Sequence, residues 1–303
     1  MNLSSRQTSV FFKGGALLIL AQIMVGVNIV SSKHLLAFAP VWFLLMMRFT
    51  LAAIILLPLH WLSSARSQSV FYYFSQITRR EWWFILAQAL SAGILFNFLM
   101  LLGLNYTDAN VAGIITSTLP AIIAVMSWLI LGERISGKKS LCILFATIGL
   151  ILIACDKFQG LGDKHFWGGD LLILCSLLPE ASYYILCKIH PNRLPVFLIS
   201  SLMNAINAVL LGMLCFWMPM HGFSIGSIEW VILLILGLSS GLFYVFWFWG
   251  CQCVDGMMAS LSTAVMPVAT VLLAWLFLHE LLTMWQFIGM ALVMLSIMLY
   301  AKP

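Results

Sequence analysis

The chain says nearly the same thing twice. The segment Gly103 to Ala154 realigns without a gap on Gly250 to Ala301 at an offset of 147 positions. Asp108 falls on Asp255, Thr116 on Thr263, Pro120 on Pro267, Trp128 on Trp275 and Glu133 on Glu280. Further upstream the register slips by one residue, so that Glu81 meets Glu229, Ser91 meets Ser239 and Gly93 meets Gly241. Self-similarity over this length marks a fold assembled from two copies of one unit, here expected over residues 1–154 and 155–303.

Both copies are apolar. With 63% hydrophobic and 8% charged residues, the chain lacks the roughly 25% charge that wets a soluble domain, so its solvent is lipid. The net charge of +5 comes from basic residues in short loops beside apolar runs, a placement that suits a membrane surface and not nucleic acid. The seven cysteines show no zinc spacing or disulfide framework. The six histidines sit mostly at segment ends and do not converge, which argues against a metal centre, a cofactor or an enzyme.

Crossing about 30 Å of hydrocarbon takes roughly 20 helical residues. Ten segments meet or approach that length: 14–36, 41–62, 82–105, 109–131, 137–154, 167–189, 196–218, 228–250, 256–278 and 283–300. The expected fold is therefore all-α and integral to the membrane, with ten transmembrane helices. Arg6, Lys13 and the later Ala37-Phe38-Ala39 imitate a signal peptide, but the apolar run is too long and the helix is expected to be retained. If the N-terminus is cytoplasmic, eleven Lys and Arg face that side against three (Lys33, Lys157, Lys164) on the other, which places both termini in the cytoplasm, and a bacterial inner membrane is the expected location. Five helices per copy is an odd number, so the second copy must enter upside down. In agreement, Arg134, Lys138 and Lys139 after the fourth segment have no basic counterparts in 280–286 after the ninth. Two inverted five-helix repeats are expected, an architecture that transporters build around a midplane substrate site.

The repeated pattern Pro120 … Gly132-Glu133 … Gly149 and Pro267 … His279-Glu280 … Gly289 resembles the drug/metabolite transporter superfamily, in its ten-helix EamA-type members. Gly26, Asn28, Lys33 and Arg48 are similar to that family's first-half pattern. Departures are His279 in place of the usual glycine, Val25 in place of tryptophan, and Leu178-Pro179-Glu180-Ala181 in the sixth segment. The resemblance implies a secondary transporter without ATP or cofactor, commonly an exporter of amino acids or other small metabolites, with helices 1, 3, 6 and 8 lining the pathway.

Glu180 is the sharpest candidate. It lies eleven residues into its segment, about 16 Å deep, where an isolated carboxylate costs at least about 2.5 kcal/mol and so marks a cavity, a bound cation or a proton carrier. Tyr183 and Tyr184 share its face, and Pro179 frees a backbone carbonyl nearby. Arg48, about 10 Å deep, is placed to pair with Glu180, to meet a substrate carboxylate, or to snorkel outward. Gln22, Asn28, Asn97, Tyr244 and Trp247 are further candidates for the pathway wall. Asn204 and Asn207 suit helix packing. Pro120 and Pro267, with Thr116 and Thr263 four residues earlier, are expected to kink the fourth and ninth helices around the site. Asp108 and Asp255 sit at N-cap positions, and Glu133 and Glu280 are expected to tether neighbouring loops.

The function expected is transport of a small polar metabolite, an amino acid or another amine such as an S-adenosylmethionine-like compound, by alternating access. Coupling would be to protons or by exchange, in a monomer or homodimer. The alternative is a passive cation or metabolite channel of the same fold.

Overall fold

The computed structural model describes residues 3–63, 68–132, 167–190, 193–217, 224–254, 265–281 and 283–301, with isolated positions between. All regular structure among the described residues is helical, as a lipid-facing chain requires, because a helix satisfies its own backbone donors and acceptors. The elements are α1 (Leu3–Leu35), α2 (Val41–Leu62), α3 (Val70–Ser75), α4 (Arg79–Ala89), a π-helical stretch (Leu90–Leu95), α5 (Phe96–Leu104), α6 (Ala109–Thr116), α7 (Leu119–Leu131), α8 (Trp167–Ile189), α9 (Val196–Cys215), α10 (Ser227–Cys251), α11 (Val265–Leu278) and α12 (Met284–Ala301). Seven spans among the described residues are long and apolar enough to cross a membrane, and α11 is a shorter apolar helix. The expected helix 137–154 and the start of the ninth, from 256, lie largely outside the described residues. Glu133, Arg134, Lys138, Lys139, Lys157, Lys164 and Asp255 lie outside them altogether.

The one-residue slip between the copies has a structural counterpart. Gly93 to Gly103 is ten positions, whereas Gly241 to Gly250 is nine. The surplus residue falls where Leu90–Leu95 is wound as a π-helix, while Ser227–Cys251 is α-helical throughout. A π turn closes over five residues instead of four, so one extra residue is absorbed without unwinding the helix.

Glycines set how closely the two copies approach. A methyl on Gly103 would stand 2.7 Å from the Gly169 carbonyl oxygen and 2.5 Å from Ile173 on α8, and one on Gly250 would stand 2.7 Å from Leu18 and 3.2 Å from the Gly14 carbonyl oxygen on α1. Likewise Gly93 receives Asn207 of α9, and Gly241 receives Leu56 of α2. Small residues at these crossings let backbones pack directly, which is how helices associate where lipid offers no hydrophobic drive.

Two helix pairs run antiparallel. Between α2 and α9, Ser201 Oγ donates to the Ala53 carbonyl (3.1 Å) and Cys215 Sγ to the Trp42 carbonyl (3.8 Å). Between α6 and α11, Gly113 packs on Thr270 and Pro267, while the start of α6 meets Glu280 beyond the end of α11. That last contact corrects an expectation. Asp108 occupies the N-cap of α6 but makes no side-chain cap bond. The Glu280 carboxylate accepts from the Ala109 and Asn110 N–H groups instead, at 3.0 and 2.7 Å. On the other arm of the same turn, Lys33 Nζ donates to the Leu104 and Thr107 carbonyls at 2.7 and 2.6 Å. An acid thus meets a helix N-terminus and a base meets a helix C-terminus, each complementing the local dipole.

Pro120 and Pro267 fall at helix starts. The chain leaves helix after Thr116 and re-enters at Leu119, so Pro120 lies in the first turn of α7, just past a break within the span Ala109–Leu131. A missing N–H is harmless there, since first-turn amides have no helical acceptor. Thr116, Ser117 and Thr118 hydroxyls donate to the carbonyls of Gly113, Ile114 and Ile115, three residues back. Pro267 similarly sits in the first turn of α11, with Thr263 in the preceding turn. Pro179, in contrast, is inside the continuous helix α8.

The motif residues that end these helices share a backbone geometry. Gly132 has φ +66° and His279, its counterpart in the second copy, φ +54°. A left-handed residue closes the helix, and it costs a side chain about 1–2 kcal/mol that glycine avoids. His279 is exposed. His279→Gly is therefore expected to stabilise the protein by about 1 kcal/mol, read as a raised midpoint in thermal unfolding in detergent.

Candidate functional site

α1, α2, α8, α10 and the π–α5 helix leave a cavity between them of ≈ 20 Å³, room for about one water. Its polar wall comprises Asn28 and Ser32 from α1, Arg48 from α2, Asn97 from α5, Glu180 from α8, and Ser240 and Tyr244 from α10. The apolar wall includes Val25, Ile29, Phe96, Met100 and Phe243. Five candidates separated by up to 216 positions, from Asn28 to Tyr244, thus meet at one place.

Arg48 and Glu180 are both buried, at 7% and 2% exposure. Arg48 Nε donates to Ser240 Oγ at 3.0 Å, and the guanidinium lies 5.1 Å from the Phe49 ring centroid. Among the described residues no carboxylate stands within ion-pairing distance of it. The two charges share a cavity without closing on each other, so snorkelling is excluded for Arg48 and each retains hydrogen-bonding capacity toward the space between them.

Beside the cavity lies a ring cluster. Tyr183 meets Tyr184 and Tyr244 edge-on, at 5.5 and 6.0 Å between centroids, and Tyr184 meets Trp247 at 4.7 Å. Each such edge contact contributes about 0.5–1.5 kcal/mol beyond burial. Gln22 and the Tyr183 and Tyr184 hydroxyls are buried with no well-formed hydrogen bond. The Tyr184 hydroxyl has the Glu180 carboxyl and the Gln22 amide as neighbours. Gln22, Tyr183, Tyr184 and Trp247 therefore flank the cavity and do not line it. Thr116, Pro120, Thr263, Pro267 and Pro179 are not among its lining residues either. The α6–α11 contact packs against α1.

Ser32 and Ser240 were missed by sequence reasoning. Serine is common in membrane helices, and the available signal was positional: Ser32 stands one turn after Asn28 on the same face. The role of Leu90–Leu95 was also missed, although the register slip between the copies marked the place. Among the described residues no three His, Cys, Asp or Glu side chains converge as a metal site.

Comparison with known proteins followed the same duplication. The EamA-like transporter family model matches the chain twice, over residues 12–155 and 167–301. An uncharacterized transporter of Bacillus subtilis, YetK, is 28% identical over 284 residues, covering 89% of this chain and 81% of its own. An uncharacterized transporter of Archaeoglobus fulgidus is 25% identical, covering 74% and 80%. A solved crystal structure at 19% identity superposes with a TM-score of 0.67 over 97% of this chain and 96% of that one, and so shares the fold.

Proposed function

The chain belongs to the EamA-like transporter family, and from that premise we propose a secondary transporter that moves a small amine-bearing metabolite, such as an amino acid, by alternating access. The observation that carries the reading is a buried guanidinium and a buried carboxyl facing one cavity without pairing. Such a pair is costly to keep unless something completes it, and a substrate with an ammonium and a carboxylate does so. A cavity of ≈ 20 Å³ admits no metabolite unless helices part, which favours alternating access over a standing pore. Glu180 is proposed as the proton or ammonium carrier, with Arg48, Asn28, Asn97 and Tyr244 as binding residues and Gln22, Tyr183, Tyr184 and Trp247 as their support.

The same proposal takes the membrane arrangement as ten helices in two inverted repeats, 1–154 and 155–303, in a bacterial inner membrane with both termini cytoplasmic. Its support is that helices at corresponding places in the copies, α2 with α9 and α6 with α11, pack antiparallel. Packing is exchanged between the halves as well: α1 against α10 is matched by α8 against α5.

Two measurements test the reading. Cysteines introduced at 133–139 and at 280–286 are expected to react with an impermeant thiol reagent from opposite faces of oriented vesicles; labelling from one common face ends the inverted arrangement. In proteoliposomes, radiolabelled amino acids are expected to show saturable counterflow. Step-like ionic currents would replace the transporter with a channel.

A further inference from the structure

We infer that the cavity selects its substrate by the number of N–H donors on the amine, accepting a primary ammonium and rejecting its N-methylated forms. The inference rests on the transporter reading above and specifies the substrate end that faces Glu180.

The argument begins with how two asparagines are oriented. Asn28 Nδ2 donates to the Met24 carbonyl at 2.8 Å. Asn97 Nδ2 donates to the Ala92 and Gly93 carbonyls at 2.8 and 2.7 Å. A backbone carbonyl only accepts, so each amide must present its NH2 to the helix and its oxygen away from it. The π-helical winding of Leu90–Leu95 explains the second case, since it places two carbonyls five and four residues before Asn97 within reach of one amide. Both residues line the cavity. Asn28 Oδ1 is buried and has no protein partner, and the same is true of Ser32 Oγ one turn later.

The cavity lining therefore offers acceptors: Asn28 Oδ1, Asn97 Oδ1 and the Glu180 carboxylate, with the Ser32 hydroxyl also in the lining. The same cavity offers donors from Arg48, which Ser240 holds in place. A primary ammonium carries three N–H groups and can give one to each of the three acceptors. Each N-methyl group removes one of those bonds and leaves a buried acceptor unmatched. Sites built to hydrogen-bond a substrate reject analogues that lack the group, because the site's own polar atoms are left unpaired. A charge-assisted bond lost in this way costs about tenfold in affinity or more.

The test uses the full-length purified protein and the probes L-leucine, L-methionine, L-phenylalanine and L-lysine, each with its α-N-methyl and α-N,N,N-trimethyl forms. Affinities are read from ligand-dependent shifts in the unfolding midpoint. The expected result is that every amino acid that binds loses about tenfold on the first methylation and about a hundredfold or more as the trimethyl form. In Asn97→Ala, and separately in Asn28→Ala, the ratio between the primary and monomethyl forms is expected to fall toward unity, because the third N–H has lost its acceptor. The ratio is independent of how much each variant weakens the fold, and Asn204→Ala, a packing position on α9, should leave it unchanged. Trimethyl forms that bind as well as their parents would overturn the inference and leave the transporter reading standing, as would an unaltered ratio in both asparagine variants. If none of the four parent amino acids binds, the amine-substrate reading falls, and this inference falls with it.

Discussion

Glu180→Gln is expected to abolish flux driven by a pH gradient and to weaken binding of an amine substrate by about tenfold to a hundredfold. The substitution keeps the shape and one acceptor oxygen, turns the other oxygen into an NH2 donor, and removes both the negative charge and the exchangeable proton. At 2% exposure the carboxylate is shielded from bulk water, and a hydrogen bond to a charged partner there contributes about 1.5–3 kcal/mol. The measurement is uptake of labelled substrate into proteoliposomes, with and without an imposed pH gradient. Loss of the gradient's effect with residual counterflow assigns proton coupling to Glu180. Undiminished, gradient-driven uptake removes it from the mechanism.

Arg48→Met is expected to have the second-largest effect, on binding and stability together. Methionine fills much of the space of the arginine stem but leaves Ser240 Oγ without its donor and a buried Glu180 without a compensating positive charge. Losing one partner of a buried charged pair costs about 3–5 kcal/mol when the two touch; here, with no direct contact, about 2 kcal/mol is expected. If the two charges feel each other across the cavity, Arg48→Met combined with Glu180→Gln should be less unstable than the sum of the single variants. The recovery should be about 1–3 kcal/mol, while transport stays absent. The assay is unfolding of the detergent-solubilised protein in a double-variant cycle, run beside flux. Strict additivity would show that the two charges do not interact, and would return Arg48 to a packing role.

Much of the architecture was readable in the linear chain. Helix positions such as Val41–Leu62 and Trp167–Ile189 follow from apolar length, and the segments read from sequence coincide with them. The duplication was legible because Gly103 and Gly250 both stand where a Cβ would crowd a neighbouring helix. Local chemistry was less legible. Asp108 has the residue type and position of a cap, yet Glu280, 172 positions later, takes the amides because α11 ends beside the start of α6. Pro120 reads as a kink in a long apolar run, and the break at Ser117–Thr118 just before it shows that it stands in a first turn.

What the sequence determined by itself is that the chain is helical, lives in lipid and was built twice, since segment length, hydropathy and repetition are properties of residues near one another along the chain. What only the tertiary structure decided is which polar side chains face each other. Arg48 and Glu180 meet a common cavity while Gln22 and Trp247 stand beside it. That outcome depends on the rotation and depth of five helices packed together, and a residue's place on its own helix does not contain it.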